Sequence, residues 1–454
     1  MSIGVRTGSL SKVRYQFYNH IERSNRDKLF LTALQYCTML FGSSGIRRKF
    51  DQTLLDIALE VGSTLGERTS SVIVGMDTRT TGPLLSNLVI SGILGSGGNV
   101  FYAGIAPTPS IAFSTRNADS GCMITASHNP EEYNGLKLFN PDGSSFTRSQ
   151  QMEMEKLLEV WHWADWQHQG KERSFDAIAP HANAILDKTK IGPEIMVVID
   201  CGNGAGCTMT PSLLSDAGAK TVCINCNPSG HFARPSEPLK EHLSYVGELV
   251  RKKEATCAVV HDGDADRMMA FDNKGRYVEG DHLLMLFSRY LDAKRVVTTS
   301  DASMLIENFA DVKRTPVGDS YVSEELLQWG DLGGEPSGAW IFPDISLCPD
   351  GPFAAALFCE IASEWDVAEM IDSAPVYSIF RESIVCDTAS QTVTALGADD
   401  PTDGIRVTEE DGWYLIRASG TEPKIRITAE GKKRDTAKAM LERARSIVKK
   451  GKTA

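Results

Sequence analysis

The segment HDGDADR, from His261 to Arg267, carries three aspartates that alternate with small residues. Asp262, Asp264 and Asp266 follow the apolar stretch CAVV, which is typical of a buried strand. Their spacing points three hard oxygen ligands at one cation, as Mg²⁺ or Ca²⁺ requires. The alternative is a solvated turn, but three like charges this close repel one another unless a positive charge lies among them. We therefore predict a metal site, and magnesium rather than calcium because few protein oxygens are offered.

A second reactive segment is ITASHNPEEYNGLK, Ile124 to Lys137, where a serine is followed at once by a histidine. From these residues alone, Ser127 is a nucleophile, a phosphate carrier or a helix cap. His128 would be its base in the first case, but adjacent side chains need not face each other. The G-x-S-x-G elbow of hydrolases is also absent. This segment by itself leaves the three roles of Ser127 open.

The segment RASGTEPKIRI, 417–427, has the composition of a phosphate-binding loop. It combines guanidinium groups, hydroxyls and a glycine that frees the backbone amides, which together suit an anion. The residues concerned are Arg417, Ser419, Gly420, Thr421, Lys424 and Arg426. An exposed turn between two strands explains the same pattern equally well.

The segment GGEPSGAW, Gly333 to Trp340, presents Glu335 and Ser337 from a rigid turn. A carboxylate in such a place suits a bidentate contact to vicinal sugar hydroxyls. Taken alone, an ordinary Gly-Pro turn is the better interpretation.

Composition excludes several classes of protein. The chain has 454 residues, 42% of them hydrophobic, and a net charge of −12, which argues against nucleic-acid binding. No apolar run is long enough to cross a membrane. Ten scattered cysteines are typical of reduced, intracellular thiols and predict a cytoplasmic protein. Cys223 and Cys226 have C-x-x-C spacing, but no second pair follows, so we interpret them as two thiols at a strand end.

Short apolar strands alternate with helical stretches from Leu40 onward. SVIVGMD, LLSNLVISGILGSG and NVFYAGIAPTP follow one another as strand, helix and strand, which predicts a parallel or mixed sheet covered by helices. The pattern returns at EIMVVIDCGNGAG and again at RVVTTS. The tail alternates strands before the helix RDTAKAMLERARSIVKK and so predicts an α+β unit with an antiparallel sheet. The expected fold is three related α/β units with mixed sheets and a C-terminal α+β domain.

Taken together and in order, these motifs resemble those of the α-D-phosphohexomutase superfamily, over nearly everything from Met39 onward. TASHNP resembles its phosphoserine loop, DGDADR its magnesium loop, GEPSG its sugar-recognition loop and RASGTEP its phosphate-binding loop. Within the superfamily the chain is most similar to an archaeal type of the phosphoglucosamine mutase branch. The opening LFGSSGIR, with Arg47, and the segment VGDSYV, Val317 to Val322, carry that similarity. Ala339 departs from it, because bacterial members usually place a histidine there.

The resemblance implies four domains around one cleft, each supplying one loop. The expected boundaries are 39–151 for the phosphoserine domain, 152–275 for the metal domain, 276–373 for the sugar domain and 374–454 for the phosphate domain. Residues 1–38 carry six basic and two acidic residues and are interpreted as an extension, with Met39 as an alternative start.

The resemblance also implies a role for each residue. Ser127 carries a phosphate and, with Asp262, Asp264 and Asp266, holds one Mg²⁺. His128, Lys137 and Arg267 complete the catalytic set, and Arg47 and Arg79 are expected to help to balance the phosphate charge. Lys137 is the first candidate for the general base, because a cationic cleft lowers the pKa of a lysine, and His128 is the second. The substrate-binding set is Arg47, Glu335, Ser337, Arg417, Ser419, Gly420, Thr421 and Arg426.

The expected reaction moves phosphate between the 6- and 1-positions of a hexose through a hexose 1,6-bisphosphate. Glucosamine phosphate is the first choice of substrate, and a phosphomannomutase/phosphoglucomutase is the alternative. A serine-based, metal-dependent phosphatase and a non-catalytic sugar-phosphate sensor are more remote. The partner is a small sugar phosphate, and the sequence does not reveal the oligomeric state.

Overall fold

The computed structural model describes residues 40–42, 44–419 and 423–451. The predicted extension, residues 1–38, lies outside these ranges, as do Gly420 and Thr421 of the predicted phosphate loop. None of the helices in the described ranges combines the length and the apolar character that a bilayer crossing needs.

The first sheet has six strands and mixes parallel and antiparallel pairs. Its strands are β1 Ile46–Lys49, β2 Ser71–Met76, β3 Asn99–Ile105, β4 Ser120–Ile124, β5 Tyr133–Phe139 and β6 Glu172–Ser174. They lie in the order β1-β5-β4-β2-β3-β6, with β5 antiparallel to both of its neighbours. The short strand β6 pairs with β3, so the first sheet takes a strand from beyond the expected boundary at 151. That boundary stays a prediction.

The second and third sheets repeat this design with fewer strands. The second contains β7 Met196–Asp200, β8 Lys220–Ile224, β9 Cys257–His261, β10 Met268–Phe271 and β11 Tyr277–Val278, in the order β11-β10-β9-β7-β8. The third contains β12 Arg295–Thr299, β13 Asp311–Thr315, β14 Leu332–Gly334 and β15 Trp340–Ile341, in the order β13-β12-β14-β15. The central strands in both are parallel and buried, which explains their runs of Val and Ile.

The fourth sheet is wholly antiparallel. Its strands are β16 Ser378–Val385, β17 Ile405–Glu409, β18 Gly412–Ala418 and β19 Lys424–Gly431, in the order β16-β19-β18-β17. Helix Arg434–Gly451 packs on this sheet through an apolar face that includes Met440 and Ala444. The expected fold class, three related α/β units followed by an α+β domain, is confirmed.

Helices cover the sheets, and some of them begin at a side-chain cap. Asp51 accepts a hydrogen bond from the Leu54 amide and Asp350 accepts one from Phe353, each at the first turn of its helix. The α-helices are Gln52–Arg68, Gly82–Gly95, Thr108–Ser114, Arg148–Leu157, Ile178–Leu186, Thr210–Asp216, Ser244–Lys253, Gly280–Tyr290, Asp319–Leu326, Gly351–Glu364, Val367–Asp372, Ala389–Ala395 and Arg434–Gly451. Short 3₁₀ helices span Thr115–Asn117, Ala205–Thr208, Lys240–His242 and Met304–Asn308.

The largest hydrophobic core joins the second and third sheets. Val197 and Ile199 of β7 belong to the same cluster as Phe287 and Phe358, from the helices that flank the third sheet. A shared core of this kind holds the two units rigidly, and it fixes the loops at their sheet ends relative to each other.

Candidate active site

All four predicted motif loops connect two strands that are antiparallel neighbours. The serine loop, 125–132, joins β4 to β5, and the aspartate loop, 262–267, joins β9 to β10. The sugar loop, 335–339, joins β14 to β15, and the phosphate loop, 419–423, joins β18 to β19. Each loop therefore links an antiparallel pair of strands in its own sheet. The sequence pattern did not show this shared arrangement.

The serine loop holds Ser127 in an unusual backbone conformation. Ser127 has a φ of 48° and its side chain is almost fully buried, while its amide donates to Thr125 Oγ1 at 2.8 Å. A left-handed conformation is rare for a residue other than glycine, asparagine or aspartate. Such conformations persist where the surroundings over-determine them, and here the surroundings centre on Arg79.

Arg79 is a buried clamp for the serine loop. Its Nε donates to Asp77 Oδ2 at 2.9 Å. Its four terminal N–H groups go to four carbonyls of the loop region, those of Ser127, Asn129, Pro130 and Tyr133, at 2.6 to 2.8 Å. All five donors of the guanidinium are thus engaged. Arg79 therefore holds the backbone that carries Ser127, and its expected part in balancing the phosphate charge stays a prediction.

The aspartate loop lies directly against Ser127. The Ser127 hydroxyl is 3.0 Å from Asp262 Oδ2 and 3.5 Å from Asp266 Oδ1. Asp264 faces the other way, where Thr108 Oγ1 donates to its Oδ2 at 2.6 Å and Lys137 Nζ at 2.9 Å. Lys137 also forms an ion pair with Asp266. The structure therefore brings together five predicted site residues from two sheets, plus Thr108, which the sequence did not single out.

The three aspartates could hold a metal ion. One oxygen of each lies within 4.8 Å of the others, and all three side chains are buried. Among the described residues, Asp264 Oδ1 is buried with no hydrogen-bond partner, which is costly unless something absent from the chain binds it. Burial and the neighbouring Asp266 raise the pKa of Asp262 far above its usual range. Three carboxylates, one of which has an oxygen without a hydrogen-bond partner in the described part of the chain, fit a hard divalent cation.

The pKa of Lys137 shifts in the direction opposite to the expected one. Burial lowers the pKa of this amine, but the charges of Asp264 and Asp266 outweigh burial and raise it above its ordinary value. The expectation that Lys137 sits in a mainly cationic environment is wrong, because its two direct contacts are carboxylates. His128 has the opposite shift. Burial and the charges of Arg267 and Arg47 lower its pKa well below the usual value, so its ring is neutral at pH 7.

Backbone hydrogen bonds tie the sugar loop to the aspartate loop. Arg267 and Ala339 form an isolated antiparallel bridge, and the Met268 amide donates to Gly338 O at 2.9 Å. Position 339, where the resemblance favours a histidine, thus contributes its backbone. Arg267 itself forms an ion pair with Glu237 at 3.1 Å.

Glu335 is buried in the sugar loop with one oxygen unused. Ser337 Oγ donates to its Oε2 at 3.2 Å, whereas its Oε1 is buried without a partner in the described part of the chain. Burial and the charge of Asp319 raise the pKa of Glu335 to about 7. A buried acceptor left open in this way suits a donor on the substrate.

Asp319 is a site residue that sequence reasoning missed. It is the third residue of VGDSYV and begins helix Asp319–Leu326, and its carboxylate accepts a hydrogen bond from Ser44 of the first domain. Its charge acts on both Glu335 and Asp266. In the sequence, this segment stood out only for its similarity to the phosphoglucosamine mutase branch. The signal available was an acidic residue in the first turn of a helix.

The phosphate loop brings two arginines together. Arg417 and Arg426 face each other across β18 and β19, and like charges directly opposite each other repel. Burial lowers the pKa of Arg417, and Asp301 lies 4.0 Å from its guanidinium. Ser419 contributes its amide to Lys424 O at 2.9 Å. Gly420 and Thr421 lie outside the described residues, so their predicted roles stay predictions.

Arg47 faces the serine loop from β1. Its Cα is paired with that of Gly135 on β5, and its Nε is buried without a partner among the described residues. Its charge lowers the pKa of His128. Arg47 thus lies close enough to His128 for its charge to act on the ring, and its expected role in substrate binding stays a prediction.

These features define a class of protein: a four-domain α/β protein in which a buried serine lies against three buried aspartates and two arginines are paired on neighbouring strands of the last sheet. The chain matches the four domain models of the phosphoglucomutase/phosphomannomutase family in order. The α/β/α domains I, II and III match residues 38–163, 172–275 and 279–377, and the C-terminal domain matches 385–447.

Similar relatives and structures agree with this. The chain is 41% identical over 430 residues to the probable phosphoglucosamine mutase of Methanococcoides burtonii, covering 90% of this chain and 99% of that relative. It is 39% identical over 446 residues to the phosphoglucosamine mutase of Methanocaldococcus jannaschii, covering 91% and 99%. A phosphoglucomutase/phosphomannomutase family protein from Burkholderia thailandensis has a similar fold, with a TM-score of 0.81, 23% identity and coverage of 91% and 98%.

The chain belongs to the phosphoglucomutase/phosphomannomutase family. It is an enzyme, a hexose-phosphate mutase, and the predicted superfamily is confirmed. The expected domain boundaries stay predictions.

Proposed function

We propose that this enzyme converts glucosamine 6-phosphate to glucosamine 1-phosphate through a phosphate carried on Ser127. The observation that carries the proposal is the contact between the Ser127 hydroxyl and Asp262, 3.0 Å apart in a buried site with an unsatisfied carboxylate oxygen. A serine used only as a cap would not need three buried carboxylates beside it. A phosphate carrier needs them to hold a cation against the phosphate.

The choice of an amino sugar rests on charge around Glu335. Asp319 and Asp301 raise the pKa of Glu335 and Arg267 lowers it, so Glu335 meets the repulsion of two carboxylates and the attraction of one guanidinium. An ammonium group on the substrate would relieve this repulsion, whereas a neutral hydroxyl would not. The relatives described above carry the name phosphoglucosamine mutase, which supports the same sugar.

We propose Mg²⁺ as the metal, held by Asp262, Asp264 and Asp266 with an oxygen on Ser127. When bound, such an ion would withdraw charge from the phosphoryl group in transfer. The chain's own residues do the positioning, because Arg79 fixes the loop backbone and Lys137 forms ion pairs with two of the aspartates.

The substrate hydroxyl attacks the phosphate on Ser127 in line, and the resulting hexose 1,6-bisphosphate turns and returns its other phosphate to Ser127. Arg417 and Arg426, with Ser419, Gly420 and Thr421, would bind the phosphate that is not reacting. Lys137 is the proposed acid–base group and His128 the second candidate. Burial lowers the pKa of Lys137, whereas the charges of Asp264 and Asp266 raise it. With these two carboxylates neutralised by a bound cation, burial would dominate and the pKa of Lys137 would fall.

Two measurements test the proposal. Wild-type protein is assayed with the 6-phosphates of glucosamine, mannose and glucose in the presence of Mg²⁺ and a matching 1,6-bisphosphate. We expect the highest kcat/KM for glucosamine, and a higher value for mannose or glucose would move the assignment to the alternative sugars. Ser127→Ala should abolish turnover while sugar-phosphate binding by calorimetry persists. Near-normal turnover of this variant would refute the carrier role.

A phosphatase remains the second candidate function, and release of inorganic phosphate distinguishes it. Hydrolysis needs no second anion site, and we propose that the paired arginines of β18 and β19 form one. We therefore expect phosphate release to be far slower than isomerisation.

A further inference from the structure

Two thiols that are distant in sequence lie in direct contact beside the aspartate loop. Cys201 Sγ and Cys226 Sγ are 3.3 Å apart. Cys201 directly follows β7, and Cys226 lies two residues beyond β8, which is the parallel neighbour of β7. Adjacent strands are about 4.8 Å apart, and a disulfide spans Cα atoms about 4.4–6.8 Å apart. The C-x-x-C spacing had drawn attention to Cys223, yet the close partner of Cys226 is Cys201.

The surroundings of Cys226 favour its thiolate. Hydrogen bonds shared with the thiols of Cys201 and Cys207 lower the pKa of Cys226, and a thiolate is the nucleophile in disulfide exchange. Cys226 is partly exposed, while Cys201 is buried. An incoming small molecule therefore meets Cys226 first, with Cys201 placed to resolve the product.

The segment that follows Cys201 is packed against the aspartate loop. The Ala205 amide donates to Gly263 O at 2.8 Å, and Gly204 is so close that an added Cβ would lie 2.5 Å from the same oxygen. The Asn203 amide donates to the carbonyl oxygen of Asn225, the residue that precedes Cys226, at 2.7 Å. Any displacement of this turn is therefore passed directly to Gly263, which lies between Asp262 and Asp264.

We propose that Cys201 and Cys226 form a reversible disulfide that slows the enzyme. The oxidant is a low-molecular-weight disulfide. The Cys226 thiolate attacks one of its sulfurs and releases one small thiolate, giving a mixed disulfide on Cys226. The Cys201 thiol then gives its proton to the released small thiolate, and its sulfur attacks Cys226 Sγ and releases the second small thiolate. Two protein thiols are thus oxidised and one disulfide is reduced to two thiols.

Closing the bond shortens the separation from 3.3 Å to about 2.05 Å. The turn that carries Cys201 must absorb part of this movement, and a shift of about 1 Å at a catalytic loop costs on the order of 10²-fold in rate. We expect oxidised enzyme to lose at least about tenfold in kcat, because only a fraction of the movement reaches the aspartates.

Oxidised glutathione is the test reagent, with the reduced full-length protein as starting material. The expected result is an intramolecular disulfide that links peptides containing Cys201 and Cys226, a drop in kcat, and recovery of both with dithiothreitol. The mass readout does not depend on which sugar the enzyme uses, so it separates this proposal from the assignment of substrate.

Three variants make the test specific. Cys226→Ser and Cys201→Ala should each keep their activity in oxidant, and either suffices if the other folds poorly. Cys223→Ser is the matched control, since it removes the exposed cysteine of the same C-x-x-C segment, and it should respond like wild type. A disulfide through Cys207 or Cys223, only a stable mixed disulfide, or unchanged kcat in protein with the Cys201–Cys226 bond would each overturn the proposal.

Discussion

Replacing Arg79 by lysine should damage the site without touching any group that reacts. Arg79 uses five N–H donors, four of them on carbonyls of the serine loop region and one on Asp77. Lysine offers three donors, so at least two buried acceptors lose their partner, each at about 1–3 kcal/mol. We expect Arg79→Lys to destabilise the loop by about 2–6 kcal/mol. The charge opposite Asp77 survives, so the larger cost of an orphaned buried ion does not arise.

The effect on catalysis follows from the backbone of Ser127. Its φ of 48° is held partly by the hydrogen bond from Arg79 to the Ser127 carbonyl, 2.7 Å long. Losing that bond allows the hydroxyl to move away from Asp262, and a displacement of about 1 Å costs on the order of 10²-fold in kcat. KM should change little, because the sugar and phosphate loops are separate.

Hydrogen exchange and steady-state kinetics test this together. Amides between 127 and 133 should exchange faster in Arg79→Lys than in wild type, and kcat should fall while KM holds. Arg68→Lys is the control, since Arg68 is exposed on a helix of the same domain and makes only a 3.7 Å ion pair with Glu153. Wild-type protection of the loop together with wild-type kcat in Arg79→Lys would refute the clamp.

Three further predictions concern the other loops. Burial raises the pKa of Glu335 to about 7, so wild-type kcat/KM for glucosamine 6-phosphate should fall as pH drops below 7. Glu335→Gln should show no such fall, and a flat wild-type pH profile would exclude an ionised Glu335. The folded chain holds this proton more tightly than the unfolded chain, so ionising Glu335 also lowers stability as pH rises from about 4.5 to 7. Asp264→Asn should weaken Mg²⁺ binding measured by calorimetry at least tenfold, because it removes an oxygen with no other partner; unchanged affinity argues against the aspartate site. Arg417→Ala should raise KM about tenfold or more, by loss of a charge-assisted contact worth about 1.5–3 kcal/mol, and an unchanged KM rejects its phosphate role.

Much of the fold was predictable because local patterns carry it. Buried strands such as SVIVGM and MVVID are visible in the sequence as apolar runs. After residue 374 the strands alternate apolar and polar residues, which predicted the antiparallel sheet. The aspartate loop and Ser127 were found for a similar reason, since their residue types are unusual at that spacing.

What could not be predicted depends on contacts between distant segments. Lys137 was placed among cations, yet its partners Asp264 and Asp266 come from another sheet. Arg79 was read as a phosphate partner because nothing near it in sequence shows that its donors are already used. Cys201 stands 25 residues from Cys226, and only the parallel pairing of β7 with β8 brings the two together.

The charges of the site suggest why several carboxylates, rather than one, surround the sugar. Asp301 and Asp319 both raise the pKa of Glu335, while Arg417 and Arg426 form the cationic side. A mutase intermediate turns over between the two half-reactions, so an amine at one carbon of the ring cannot meet the same side chain in both orientations. We infer that a spread of carboxylates keeps an ammonium group favourable in either orientation, whereas a single fixed ion pair would hold the intermediate in one. Asp319→Asn should then lower kcat/KM for glucosamine 6-phosphate more than for glucose 6-phosphate, and an equal loss for both sugars would show that Asp319 serves the contact with Ser44 alone.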